Sequence, residues 1–176
     1  LAAALEIQEQ IDFSVRDEIA VIGDGKLGLL ITLSLIQAGY DVTLLGHHPE
    51  RAAQLGISNL KFNSSVPDKK FSVVIEATGG PSGFSDAMKI IAPLGTLVLK
   101  STYQAPLEFN PGPLVVNEIT LVGSRCGPMD KAVARMAAGE IDPTGLIEAV
   151  YPLKESLSAV DQANANGTLK ILITMS

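Results

Sequence analysis

EIAVIGDGKLGLL, residues 18–30, decides the fold. Its opening EIAVIG is a short apolar run that reads as a buried strand, and it leads without a gap into Gly23-Asp24-Gly25-Lys26-Leu27-Gly28. From Lys26 to Ala38 the chain reads as a helix, closed by Gly39 just past its end, where a left-handed residue is favoured. That helix is apolar nearly all round (Leu27, Leu29, Leu30, Ile31, Leu33, Leu35, Ile36), so it needs cover on two sides. A G-x-G-x-x-G that leaves a strand and opens a helix is in the setting that gives the motif chemical meaning. Gly23 allows the tight turn, Gly25 lets backbone approach a pyrophosphate, and Gly28 permits close helix–strand packing. Unpaired N–H groups at the helix start, around Lys26 and Leu27, face the phosphates, helped by roughly half a unit of positive charge from the helix dipole.

The same alternation runs outward from this stretch. Residues 1–11 can form a helix; Asp41–Leu45 is a second strand; Pro49 opens a short helix that stops at Gly56. Leu60–Phe62 is a weak third strand and Phe71–Glu76 a fourth, followed by a helix whose Phe84, Ala87, Met88 and Ile91 keep the i, i+3, i+4, i+7 rule. Leu94–Leu99 makes a fifth strand and Glu118–Val122 a sixth, and Met129, Ala132, Val133 and Met136 repeat the helical spacing up to Gly139. From Ile141 the rhythm changes to IEAVYPL, a polar helix around Lys154–Ala165, and a last strand KILIT. Short apolar strands without clean alternation indicate a parallel sheet covered on both faces, in the doubly wound order 3-2-1-4-5-6. The expected division is residues 1–140 as the nucleotide-binding unit with its leading helix, and 141–176 as a strand–helix–strand segment.

In such a sheet a ligand enters where the strand order reverses, between strands one and four. Beyond strand four stands Ala77-Thr78-Gly79-Gly80, whose small residues leave room beside the glycine loop; the alternative is a helix cap at Thr78 or Ser82. Strand five ends in Lys100-Ser101-Thr102-Tyr103, polar groups placed to bond a nicotinamide amide, or else an ordinary polar loop. Strand two ends in Leu45-Gly46-His47-His48, so Gly46 stands where an acid, about 20 residues past the fingerprint, accepts from the ribose 2′-OH in enzymes that prefer NAD. Asp41 lies at the wrong end of the strand to replace it. His47, His48 and Arg51 follow directly and can contact a 2′-phosphate, so NADP is the first choice and NAD the alternative, with Glu50 the main counter-argument.

Composition sets the bounds. The 176 residues are 47% hydrophobic, with 13 Lys+Arg against 19 Asp+Glu, a net charge of −6 that argues against a non-specific nucleic-acid binder. Mean hydropathy is +0.30, yet no apolar run approaches the ~20 residues of a spanning helix. The longest uncharged stretch, Leu27 to Tyr40, holds Ser34, Gln37 and Gly39. Cys126 is the single cysteine, which excludes a disulfide framework and a cysteine-rich zinc cluster within this chain. The start, LAAALEIQEQ, has no basic region and carries Glu6 and Glu9, unlike a signal peptide; the expectation is a fragment of a longer cytoplasmic protein. His47 and His48 have no Cys, Asp or Glu at metal-ligand spacing, and Cys126 has no following His to activate it, so no metal ligand and no catalytic residue is assigned.

Together GDGKLGLL, VVIEATGGPSGFSDAMKIIAPLGTLVLKS and NEITLVGSRCG…YPLKESLSAVDQA resemble the zinc-containing alcohol dehydrogenase family of medium-chain dehydrogenase/reductases. The resemblance covers almost the whole chain, and its ATGG…PLGTLV and YPL segments are more particular than the glycine motif. It implies a fuller protein, with catalytic zinc ligands, proton relay and most of the substrate pocket in an N-terminal domain absent here. It also implies that Leu1–Phe13 links the two domains, that the chain from about Ile141 returns toward the absent one, and that the parent is a dimer or tetramer. Gly23, Gly25 and Gly28 carry over onto the family's pyrophosphate loop, and Thr78–Gly79 and Ser101–Thr102 onto segments that line the coenzyme; Gly46 departs from the acid of NAD-preferring members.

The expected function is therefore the coenzyme-binding part of an NADP(H)-dependent alcohol dehydrogenase, acting on a small alcohol or carbonyl. Two alternatives remain: the same part of a zinc-free quinone or enoyl reductase, and a non-catalytic nucleotide sensor. A methyltransferase using S-adenosylmethionine is more distant, because it too wants an acid where Gly46 stands.

Overall fold

Four-residue apolar runs bury completely only as inner strands of a parallel sheet, and the computed structural model places them there. It describes residues 1–14, 17–103, 106–165 and 167–175. The main sheet consists of β1 (Ile19–Ile22), β2 (Val42–Leu45), β3 (Lys61–Asn63), β4 (Phe71–Glu76), β5 (Ile91–Leu99) and β6 (Thr120–Gly123). All pairs are parallel, in the order β3-β2-β1-β4-β5-β6. This is the expected doubly wound arrangement, with the order reversing between β1 and β4. Every residue of β1 and β2 is buried, as a sheet covered on both faces requires.

Helix α2 (Lys26–Gln37) covers one face through Leu29, Ile31 and Leu35, which share a core with Ile19, Val21, Leu44, Val73 and Ile75. Its second side is covered from within the chain. Leu33 packs with Ala2 and Leu5 of α1 (Ala2–Gln10) and with Ile141. On the opposite face α4 (Pro81–Ile90) brings Phe84, Ala87 and Ile90 against Ala20, Val74 and Leu97. Each such large side chain, fully buried, contributes about 1.5–3 kcal/mol.

Several elements depart from the sequence reading. Ile91 is not the last apolar position of a helix but the first residue of β5, still buried. Pro93 disfavours helix at the residue before it, and a register shift between β4 and β5 places Leu94 at φ 62. A short helix, α5 (Gly112–Val116), occupies a proline-rich stretch the periodicity left as loop. In α6 (Met129–Ala137) only Ala132 is buried; Met129, Val133 and Met136 are exposed, because α6 meets α1 through its smallest residue.

The C-terminal segment is a second parallel pair, β7 (Ile147–Pro152) and β8 (Lys170–Thr174), joined through α7 (Ser156–Ala163). It is seated on the first unit: Leu146 and Leu169 join the core beneath α2, and Gly145 lies against the Gln54 carbonyl. Among the described residues no helix is long and apolar enough to cross a membrane.

The three glycines of the loop make different demands. A methyl group at Gly28 would overlap the Gly23 carbonyl oxygen, while at Gly25 it would meet nothing within 4 Å. Gly28→Ala is therefore expected to lower unfolding free energy by about 3 kcal/mol or more, because backbone meets backbone there. Gly25→Ala, a change only at the helix cap, should cost no more than about 1 kcal/mol. Urea unfolding of the two variants measures the difference; equal losses would contradict this division of roles.

Candidate coenzyme site

The sheet register builds the site. Ile22 pairs with Leu45 on one side and Glu76 on the other, and Glu76 with Leu99, so the residues after these strands gather along one edge. Gly23 turns there at φ 115, and any side chain on it would lie 2.8 Å from the Ala77 carbonyl oxygen. Gly25 caps α2 in an extended conformation, and no side chain bonds the helix start. The first N–H groups of a helix have no intrahelical partner, which leaves those of Lys26, Leu27 and Gly28 without one. Lys26 itself is exposed and Gly28 is buried behind the loop.

A cavity of about 450 Å³ opens over this edge. It brings together Gly23, Gly25, Gly46, His47, Arg51 and Thr78 of the residues expected from the sequence. It also includes Asn63, Ser64, Ser65 and Val66 at the end of β3, which the sequence reading passed over; small polar residues after a strand beside β2 were the available signal. Lys26, Leu27, Gly28, His48, Gly79, Ser101 and Thr102 are not in its wall. Gly79 instead donates its N–H to Ser101 Oγ at 2.7 Å, tying the loop after β4 to the loop after β5, and Thr102 is exposed.

The residue that organises the end of the cavity beside β2 is Asp24, the unassigned second position of the glycine motif. Its side chain is 9% exposed. Oδ2 accepts the backbone N–H groups of His47 and His48, both at 2.6 Å, and His48 Nδ1 lies 3.1 Å from the same oxygen. The Arg51 guanidinium stands 3.7 Å from Oδ1. Burial works to raise this carboxyl, but the His48 backbone and imidazole and the His47 backbone outweigh it and hold it below the ordinary value. A side chain at Gly46 would lie within 2.5 Å of Asp24 Cγ. An acid is thus present where the sequence reading found none, supplied by the loop rather than by β2. Asp41, at the far end of β2, pairs with Lys61.

A second acid, Glu76, ends β4 fully buried. It accepts from Thr78 N at 2.7 Å, Thr78 Oγ1 at 2.6 Å and Tyr103 Oη at 2.6 Å. Burial, with the Glu76 hydrogen bond and charge added, pushes the Tyr103 phenol far above its usual range. Gly83 leaves the necessary room, since a methyl there would sit 2.6 Å from Glu76 Oε1. Neither Thr78 nor Ser82 caps α4, whose cap is Gly80 with no side-chain bond. Three of the four polar groups ending β5 are engaged within the chain: Ser101 by Gly79, Tyr103 by Glu76, and Lys100, whose Nζ donates to Ser124 Oγ and the Arg125 carbonyl, both at 3.0 Å. Burial lowers Lys100 below an ordinary amine, with Glu6 and Cys126 opposing. Among the described residues no three His, Cys, Asp or Glu are grouped to hold a metal ion.

Comparison with known proteins gives this geometry its context. The pattern that defines the zinc-binding dehydrogenases matches residues 27–138. D-arabinitol dehydrogenase 1 of Uromyces fabae is 33% identical over 109 residues, 58% of this chain and 31% of that protein. Among solved structures, the short chain alcohol dehydrogenase RspB of E. coli CFT073, complexed with NADH, superposes with a TM-score of 0.86 at 21% identity, covering 98% of this chain and 56% of that one. S. aureus TarJ in complex with NADPH superposes at 0.80 with 17% identity, covering 98% and 61%. The chain therefore spans about a third of that curated relative and somewhat over half of those solved chains. With five of the six strands of the main sheet inside the matched segment, this chain belongs to the zinc-binding dehydrogenase family.

Proposed function

We propose that this chain is the NADP(H)-binding part of a zinc-type alcohol dehydrogenase, whose other domain carries the zinc and most of the substrate pocket. The observation that carries the reading is the open space over Gly25 at the start of α2, where no side chain bonds the cap, beside a cavity at the reversal of strand order. A pyrophosphate can lie there against bare backbone, with helix N–H groups as donors. Residues 1–140 serve as the binding unit and 141–176 as the segment that leads back to the other domain. When bound, the nicotinamide would accept or give the hydride exchanged with a small alcohol or carbonyl.

The residues of this chain would do the holding. Gly23, Gly25 and the first turn of α2 would take the pyrophosphate, and Gly46, His47, His48 and Arg51 the adenosine ribose with its phosphate. Thr78, Gly79, Ser101 and Thr102 border the nicotinamide end, where Glu76 and the Gly79–Ser101 bond keep the two loops in register. The sugar-alcohol dehydrogenase relative and the coenzyme-bound neighbours support this assignment. The exposed edge of β6, with Leu121 and the neighbouring Val115 and Val116 at the surface, suits pairing with a second copy into a dimer. An exposed free thiol, Cys126, suits the reducing cytoplasm.

Titration calorimetry on the chain is expected to show NADPH binding more tightly than NADH, and Gly25→Ala weakening both by at least about tenfold while the fold persists. Equal affinities, or NADH in the lead, would overturn the choice of coenzyme. Gly46→Asp must displace Asp24, so it should weaken both coenzymes and lower the NADPH:NADH affinity ratio; an unchanged ratio would place residue 46 away from the ribose. In steady-state assays the chain is expected to oxidise no alcohol with zinc added, and zinc-dependent turnover would contradict placing the reaction centre in the other domain.

A further inference from the structure

We propose that Asp24 sets how far this site distinguishes a phosphorylated from an unphosphorylated ribose, by standing as an internal anion on the groups that a 2′-phosphate would take. The inference rests on the coenzyme reading above and deepens it. Its basis is convergence: two backbone N–H groups, one imidazole and one guanidinium from the end of β2 and the start of α3 (Pro49–Ala53) all face a single, nearly buried carboxylate in the cavity wall. These are the donors that recognise phosphate elsewhere. Arg51 lies beside the C-terminal segment, where a methyl group on Gly167 would come 3.1 Å from Nη2.

The two oxygens of Asp24 are unequally occupied. Oδ2 takes both short hydrogen bonds, whereas among the described residues Oδ1 has only the 3.3 Å approach of His48 Nδ1 and the 3.7 Å approach of Arg51. A ribose hydroxyl can donate to Oδ1 and leave the arrangement intact. A phosphate brings like charge to the carboxylate and competes with it for Arg51 and His48. The preference for NADPH that those donors supply is thereby held down by an acid of the chain's own. If Asp24 merely fastened the loop to β2, removing its charge while keeping its shape would change stability and leave discrimination alone.

Asp24→Asn makes that separation, since the amide oxygen still accepts from the His47 and His48 N–H groups. Calorimetric titration of NADPH and NADH, at one ionic strength, is expected to show the NADPH:NADH affinity ratio rising about tenfold over the unaltered chain, the effect of one removed charge at close range. A ratio that stays within twofold of its starting value, or falls, overturns the proposal while leaving the coenzyme reading intact. An unaltered chain that binds neither coenzyme overturns both. Should Asp24→Asn not fold, amide NMR on the unaltered chain decides: the His47 and His48 signals should move further on saturation with NADPH than with NADH, and equal movement overturns the proposal.

Discussion

The structure depends on one backbone-on-backbone contact, the first turn of α2 lying against the end of β1. At Gly28 there is no space for even a methyl group beside the Gly23 carbonyl. Only this closeness points the start of α2 across the place where the sheet reverses its order, with its unpaired N–H groups at the edge of the cavity. Register extends the effect. Because Ile22 is level with Leu45 and Glu76, and Glu76 with Leu99, the four loops after β1, β2, β4 and β5 meet along one line.

Two buried carboxylates then hold those loops. Asp24 binds the loop after β1 to the loop after β2, and Glu76 binds the loops after β4 and β5 through Thr78 and Tyr103. A buried charge is tolerable only when donors surround it, and each of these acids is surrounded by donors from its own edge of the sheet. Glycine is used where they need room: Gly46 leaves space for Asp24 and Gly83 for Glu76. The absence of an acid at the end of β2 is thus the complement of an acid in the glycine loop.

Strand order, the glycine loop and most element types were legible because they follow from local signals: short apolar runs, helical spacing, and glycine at turns. The errors came where a local pattern met a distant constraint. Ile91 fits a helix by spacing but is drawn into β5 by its pairing with Phe71. Met129, Val133 and Met136 look like an inward face until Ala132 is seen to be the one residue of α6 that is buried with α1. The polar end of β5 reads as four free groups, yet Lys100 and Tyr103 are spent on partners more than 20 residues away.

By itself the sequence determined the doubly wound sheet, the glycine loop between β1 and α2, and the cluster of His47, His48 and Arg51 after a strand that ends without an acid. Tertiary structure alone decided what that cluster meets. Asp24 and His47 are 23 positions apart, and nothing in their local pattern couples them. The parallel register of β1 and β2 brings them within hydrogen-bond reach, and electrostatics at that distance depends on position in space rather than on order along the chain.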